Sequence, residues 1–312
     1  MPATFDLQGH RGARGLKPEN TLPSFEAALD AGVGSIETDV HLTRDGVPVL
    51  THDPLITERL CRLRLGSEAP LPESRPRIID LDMLHLHEYR ADRNPNPQRF
   101  PTQDASVTPL ATLYAAEHGF DPYAVPPLGH LFGFVAAYAG EPGAQAGKTP
   151  AQRQAAHRLI FDIELKRVPF RPEWTGEPGL LEQRVLEAIR AAGTVERCRV
   201  RSFDHRSVKL LRAMEPRLTG AVLIADTAPI DPVRLVRDAD AQIYCPEFQF
   251  LDAAQVRQCH AAGVQVLPWT VNEPDDWRRL LDWGVDGITT DYPDRLAEVV
   301  RSLRGGDSGV KS

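Results

Sequence analysis

Four short segments of the chain pair residue types suited to proton transfer and cation binding: His10-Arg11, Glu37-x-Asp39, His52-Asp53 and Glu164-x-Lys166. Side chains two apart on a strand point the same way, so Glu37, Asp39 and His41 share one face, and Glu164 and Lys166 share another. Two adjacent carboxylates repel, and one tends to keep its proton unless a cation compensates. A hard divalent ion, magnesium or calcium, is the natural compensation because it prefers carboxylate oxygens. Glu164 is the candidate third ligand. Lys166 is one of five lysines in the chain and can hold a phosphate oxygen as a point charge. His10 and His52 titrate near neutral pH and suit the acid and base of an in-line displacement at a phosphodiester. A metal ion can neutralise charge developing on the phosphoryl oxygens, a task Arg11 and Lys166 can share.

Each assignment has a plainer reading. A lone histidine at a strand end is more often a surface or hydrogen-bonded residue. Glu37 and Asp39 alone can be a solvated edge or partners for arginine. Convergence favours the chemical reading, because all four segments fall at strand ends that one fold would bring to the same side.

That fold follows from a recurring pattern. A helical stretch ending in glycine precedes a β-branched run at Phe25–Gly32 into Ile36–Val40, and again at Leu181–Gly193 into Arg199–Phe203. It returns at Ala253–Gly263 into Gln265–Thr270 and at Asp275–Gly284 into Gly287–Thr290. Glycine supplies the left-handed C-cap at little cost. Phe5–Gly9, Leu159–Glu164, Gly220–Ile224 and Gln242–Cys245 complete eight strands, which implies a (β/α)8 TIM barrel with its chemistry at the C-terminal strand ends. Val47–Thr51 follows the second strand too closely for a parallel crossover, so a hairpin turning at Asp45-Gly46 is expected, with His52 returning towards the barrel mouth.

The segment 54–158 is too long and too rich in proline (Pro72, Pro76, Pro95, Pro97, Pro101, Pro109) for one crossover. It carries helical patches at Leu110–Glu117 and Leu131–Tyr138 and reads as an insertion capping the mouth. The expected organisation is a single barrel domain over residues 1–304, with the cap in 54–158 and a disordered Gly/Ser-rich tail over 305–312.

Composition excludes some classes. A net charge of −7 lacks the basic face a nucleic-acid binder needs. No apolar run approaches the roughly 20 residues of a membrane span, so stable membrane insertion is not expected. The first residues show no basic stretch followed by an apolar one, so a cytoplasmic protein is expected, or a periplasmic one if a leader has been removed. Cys61, Cys198, Cys245 and Cys259 lack metal-ligand spacing and read as reduced, packed thiols.

The motifs themselves resemble a known family. His10-Arg11-Gly12, Pro18-Glu19-Asn20-Thr21, Glu37-Thr38-Asp39-Val40 with Asp45-Gly46, and His52-Asp53 are similar to the opening block of glycerophosphodiester phosphodiesterases. The similarity continues through Glu164-Leu165-Lys166, Ser202-Phe203, Trp269-Thr270-Val271-Asn272, Gly284-Val285-Asp286-Gly287 and Thr290-Asp291-Tyr292-Pro293. The resemblance implies hydrolysis of glycerophosphodiesters to sn-glycerol 3-phosphate and an alcohol. His10 and His52 would be the acid/base pair, and Glu37, Asp39 and Glu164 the ligands of one divalent ion, Mg2+ or Ca2+, with Mn2+ as an alternative. Arg11 and Lys166 would hold the phosphate, Glu19 would lie near the metal and glycerol, and Trp269 would line the pocket or pack in the barrel. Thr38 stands where the family more often has an apolar residue and is expected to matter little. Two rival readings use the same residues: a lysophospholipase D-like or cyclising phosphodiesterase acting on lipids, and an inactive barrel that only binds such ligands.

Overall fold

The structure is a computed structural model that describes residues 5–306, apart from 65, 67, 68 and 70. The expected tail beyond 306, and residues 1–4, lie outside the described residues. The closing helix runs through Gly306, so residues 305 and 306 belong to it rather than to the tail.

Among the described residues, eleven strands run β1 (Asp6–Gly9), β2 (Ser35–Leu42), β3 (Pro48–Leu50), β4 (Arg62–Leu63), β5 (Tyr89–Arg90), β6 (Ile160–Leu165), β7 (Cys198–Ser202), β8 (Thr219–Ile224), β9 (Ile243–Pro246), β10 (Gln265–Val266) and β11 (Gly287–Thr290). The main sheet has the order β10-β9-β8-β7-β6-β2-β1-β11. All pairings along it are parallel. The two end strands meet through hydrogen bonds from the Asp286 amide to the Val266 carbonyl and from the Thr289 amide to the Pro268 carbonyl, each 3.0 Å. The result is the expected eight-stranded barrel, closed by irregular backbone at one seam. The strand expected over Gln265–Thr270 is cut to two residues. Pro268, which has no amide to give to a ladder, sits in its middle, and pairing resumes only as a bridge between Glu247 and Trp269. β3 pairs antiparallel with β2, forming the expected hairpin.

Outward-facing Ile36, Phe161, Ile163, Val200 and Val222 are fully buried under the helices. Each such side chain is worth roughly 1.5–3 kcal/mol of apolar burial. The inward faces are divided. Ala221, Leu223, Ile243, Cys245 and Leu267 form a small apolar cluster on the β8–β10 side. On the β1–β6–β7 side the interior is ionic. Asp162 accepts from the Arg201 Nε at 2.7 Å and from Arg199 at 2.9 Å, Arg199 also reaches Asp6 at 3.0 Å, and Arg201 donates to Gln8. Asp162, unassigned from sequence, is therefore the acceptor of a buried ion-pair network.

The segment 54–158 is of two kinds. Its first part, through β4, β5 and the loops between them, builds a second apolar core on the hairpin, with Val49, Ile56, Ile78, Leu81, Leu86 and Tyr89. Its second part supplies the barrel's outer layer. The helix Pro109–His118 points its first amides, those of Leu110 and Ala111, at the Glu26 carboxylate of α1 (Leu22–Ala31). Phe132, in the helix Leu128–Ala139, packs edge-on against Phe161 of β6. Loops thus cover the mouth, and helices that sequence reading had assigned to the same insertion cover the barrel wall. The four cysteines are free and buried. Among the described residues, no helix is long and apolar enough to cross a membrane.

Candidate active site

Parallel register decides which side chains meet. Asp39 lies opposite Glu164, and Glu37 opposite Asp162. Neighbouring strands are about 4.8 Å apart. Carboxylate oxygens of Glu37, Asp39 and Glu164 consequently lie within 4.8 Å of one another, and all three residues are buried. Gly9 pairs with both Ile36 and Thr290, so His10 emerges at the level of Glu37 on one side and Asp291 on the other.

The turn after β1 is tightly built. Gly12 has φ 84°, and a Cβ there would meet Ser24 atoms at 2.5–2.7 Å, so only glycine fits against α1. Arg11 itself has φ 51°, an unusual conformation for a non-glycine residue. The conformation aims its amide at Glu37 (3.0 Å) and its guanidinium at Glu19 (2.7 Å) and Asp39 (3.1 Å). Asn20, also at positive φ, donates to Asp39 at 2.9 Å while accepting from Thr38 at 2.7 Å. Thr38 therefore anchors a residue that orients Asp39. Its hydroxyl does something an apolar residue cannot, contrary to the expectation that the position matters little.

His10 donates its Nδ1–H to the Asp291 carboxylate (2.6 Å), leaving Nε2 turned to the cavity, 3.9 Å from Glu37. Burial, with the nearby Arg14 charge, pushes the imidazole down to about 3, so it is neutral at physiological pH. Asp291 is held by Arg14 on both oxygens (2.9 and 3.1 Å) and by Asn272. Despite burial, Arg14 and His10 keep its carboxyl far below the usual range. His52 is one-third exposed, with Nδ1 2.7 Å from Asp53. Buried His41 holds the His52 carbonyl through Nε2 (3.0 Å), which gives this unassigned histidine a structural task. Lys166 lies between Glu164 (2.7 Å) and Asp39 (3.5 Å), with its ammonium over the Phe203 ring. The Trp269 indole donates to the Cys245 carbonyl (2.9 Å) and meets Phe203 edge to face, so it serves both the barrel packing and the cavity wall.

His10, Arg11, Glu37, His52, Glu164, Lys166 and Trp269 line one cavity of about 260 Å³. Glu19 lies behind Arg11 and faces an adjoining space. Sequence reading missed Asp291, Arg14 and Asn20 as members of this site. Asp291 ends the last strand, and a closed barrel places that strand beside the first. Asn20 and Asp291 both stood inside the quoted motifs.

The donor set suits a hard cation. The three clustered carboxylates of Glu37, Asp39 and Glu164 meet two permanent cations at ion-pair distance among the described residues, Arg11 and Lys166, while Arg14 pairs with Glu19 and Arg201 is held by Asp162. Burial and the neighbouring Asp39 push Glu37 well above its usual range. Asp39, although buried, is held well below its own by Arg11 and Lys166. One oxygen of Asp39 is buried without a hydrogen-bond partner. Surplus negative charge and an orphaned carboxylate oxygen are what a divalent ion would satisfy.

Comparison with known proteins agrees with this geometry. The model of the glycerophosphoryl diester phosphodiesterase family matches residues 10–126 and 150–295, leaving the stretch around the helix Leu128–Ala139 unmatched. A Bacillus altitudinis protein named glycerophosphodiester phosphodiesterase is 28% identical over 95% of this chain and 98% of its own. A crystal structure from Silicibacter pomeroyi that carries the same family name is 28% identical and superposes with a TM-score of 0.78, covering 97% of this chain and 95% of that one. An Oleispira antarctica phosphodiesterase, solved with the product sn-glycerol-3-phosphate, shares the fold at 19% identity and a TM-score of 0.67, covering 96% of this chain and 97% of that one. With the match running from the turn that follows the first strand to beyond the end of the last, the chain belongs to the glycerophosphoryl diester phosphodiesterase family.

Proposed function

We propose that the protein hydrolyses glycerophosphodiesters to sn-glycerol 3-phosphate and an alcohol, with one divalent cation held by Glu37, Asp39 and Glu164. The observation that carries this reading is a cluster of three buried carboxylates, two of which, Glu37 and Glu164, line one cavity together with two histidines, Arg11 and Lys166. When bound, the cation would neutralise charge on the phosphoryl oxygens. Arg11 and Lys166 would hold non-bridging phosphate oxygens, Arg11 from the glycine turn and Lys166 from the end of β6. His10 and His52 would carry the two proton transfers. Asp291 fixes the His10 ring, so its Nε2 meets the substrate in one orientation, and Asp53 does the same for His52. Trp269 and Phe203 would close the apolar side of the cavity.

The test is release of glycerol 3-phosphate from glycerophosphocholine and glycerophosphoinositol, with magnesium, calcium, manganese or EDTA. Metal-dependent release is expected. Release undiminished by EDTA would remove the metal from the mechanism. No release with any ion would favour the inactive, ligand-binding barrel.

A further inference from the structure

The cavity at the carboxylate cluster measures about 260 Å³. Sites enclosing a whole small ligand usually measure about 300–1,000 Å³, so this one suits only part of a diester. A second cavity of about 560 Å³ adjoins it. Arg11, Arg14 and Arg99 line both, so the second begins where the first ends, beneath the loops of the cap.

The lining of this outer cavity restricts what it suits. Arg11 and Arg14 are already engaged by Glu19, Asp39 and Asp291. Arg99 makes no side-chain hydrogen bond among the described residues: its side chain is 52% exposed, lies over Phe100 and meets the Asp291 carboxylate only as an ion pair at 3.7 Å. Arg59, Arg75, Glu58 and Glu73 also line it. A hydroxyl group both donates and accepts, and a wall that carries both guanidiniums and carboxylates offers partners for both. A quaternary ammonium instead requires open aromatic faces. Among the described residues lining this cavity, Phe100 is the one aromatic ring, and the guanidinium carbons of Arg14 and Arg99 already lie over it, 4.7 and 5.3 Å from its centroid.

We propose that this outer cavity receives the alcohol half of the diester, that it selects hydroxyl-rich alcohols over quaternary ammonium ones, and that Arg99 donates the discriminating hydrogen bonds. The proposal rests on the phosphodiesterase reading above. It implies a polar, water-soluble leaving group rather than an acyl-bearing one, since the cavity wall carries charge where a lipid tail would need apolar cover.

The experiment measures kcat/KM of the magnesium-loaded full-length protein for glycerophosphoinositol, glycerophosphoglycerol and glycerophosphocholine. The two polyol esters are expected to be preferred by at least about tenfold, the order expected of one charge-assisted hydrogen bond. Arg99→Gln is expected to lower the polyol-to-choline ratio by about tenfold, mainly through KM. Arg99→Lys, which keeps the charge without the planar fork, should fall between. Equal use of all three esters by the unaltered protein would overturn the proposal while leaving the hydrolysis intact. So would an Arg99→Gln variant that slows all three alike, as a merely structural residue would. Failure to cleave any of the three would overturn this proposal and the phosphodiesterase reading together, which separates the two failures.

Discussion

Two charged clusters lie inside the same barrel, one layer apart, and they are built on opposite principles. In the lower layer, Asp162, Asp6, Arg199 and Arg201 balance one another in charge, and Gln8 and Ser35 add further hydrogen bonds, with the Arg199 Nε left without one. Despite burial, the two arginines hold Asp162 below its usual range. In the upper layer, Glu37, Asp39 and Glu164 crowd together with too few cations, and Glu37 is pushed up instead of down. Both layers come from the same strands: Asp162 and Glu164 are two residues apart on β6. Burial of charge is therefore not what marks the site. An excess of carboxylate charge beside a cavity is what marks it, whereas a charge-balanced cluster is structure.

This contrast can be tested at four points. The largest effect is expected at the histidines. His10→Ala or His52→Ala should lower kcat by roughly 10²- to 10⁴-fold, the usual worth of a positioned acid or base, with circular dichroism and Tm unchanged. A variant with near-normal turnover would remove that histidine from the proton transfers.

In the lower layer, Asp162→Ala leaves two buried guanidiniums without their shared partner and should cost about 3–5 kcal/mol in denaturant unfolding. A loss below about 1 kcal/mol would mean that the lower layer is not the closed network described here.

In the upper layer the sign of the comparison reverses. Glu37 is pushed towards its protonated form, and Gln is the neutral isostere of that form. Glu37→Gln should thus shift metal-free stability by less than about 1 kcal/mol, while manganese affinity measured by calorimetry falls by more than about tenfold. Unchanged affinity would argue against ligation, and a large stability loss would show Glu37 to be structural after all.

The smallest effect is expected at the cavity wall. Trp269→Phe keeps the ring against Phe203 and removes the indole N–H bonded to Cys245, so a stability loss of about 1 kcal/mol is expected. A much larger loss would assign Trp269 to packing alone.

The division between what was legible and what was not has a physical basis. Sequence alone determined the alternation of helices and strands, because glycine after each helix and β-branched runs after each glycine are local preferences. It also placed His10, Glu37, Asp39, His52, Glu164 and Lys166 at strand ends, because period-two geometry fixes which side chains share a face. It chose Glu164 as a ligand but left Asp162 unassigned, since the partners of an acid on a strand come from neighbouring strands that local pattern does not identify. Nor could it show that Asp291 steadies His10 or that Thr38 and Asn20 steady Asp39. The His10–Asp291 contact joins residues 281 positions apart and exists only once the last strand closes on the first, and the Asn20 contacts form only once the turn before α1 folds against β2. The split of 54–158 into mouth loops and wall helices was likewise settled by tertiary packing: an apolar helical face reads alike whether it covers a cap or a barrel, and only the surface it meets decides which.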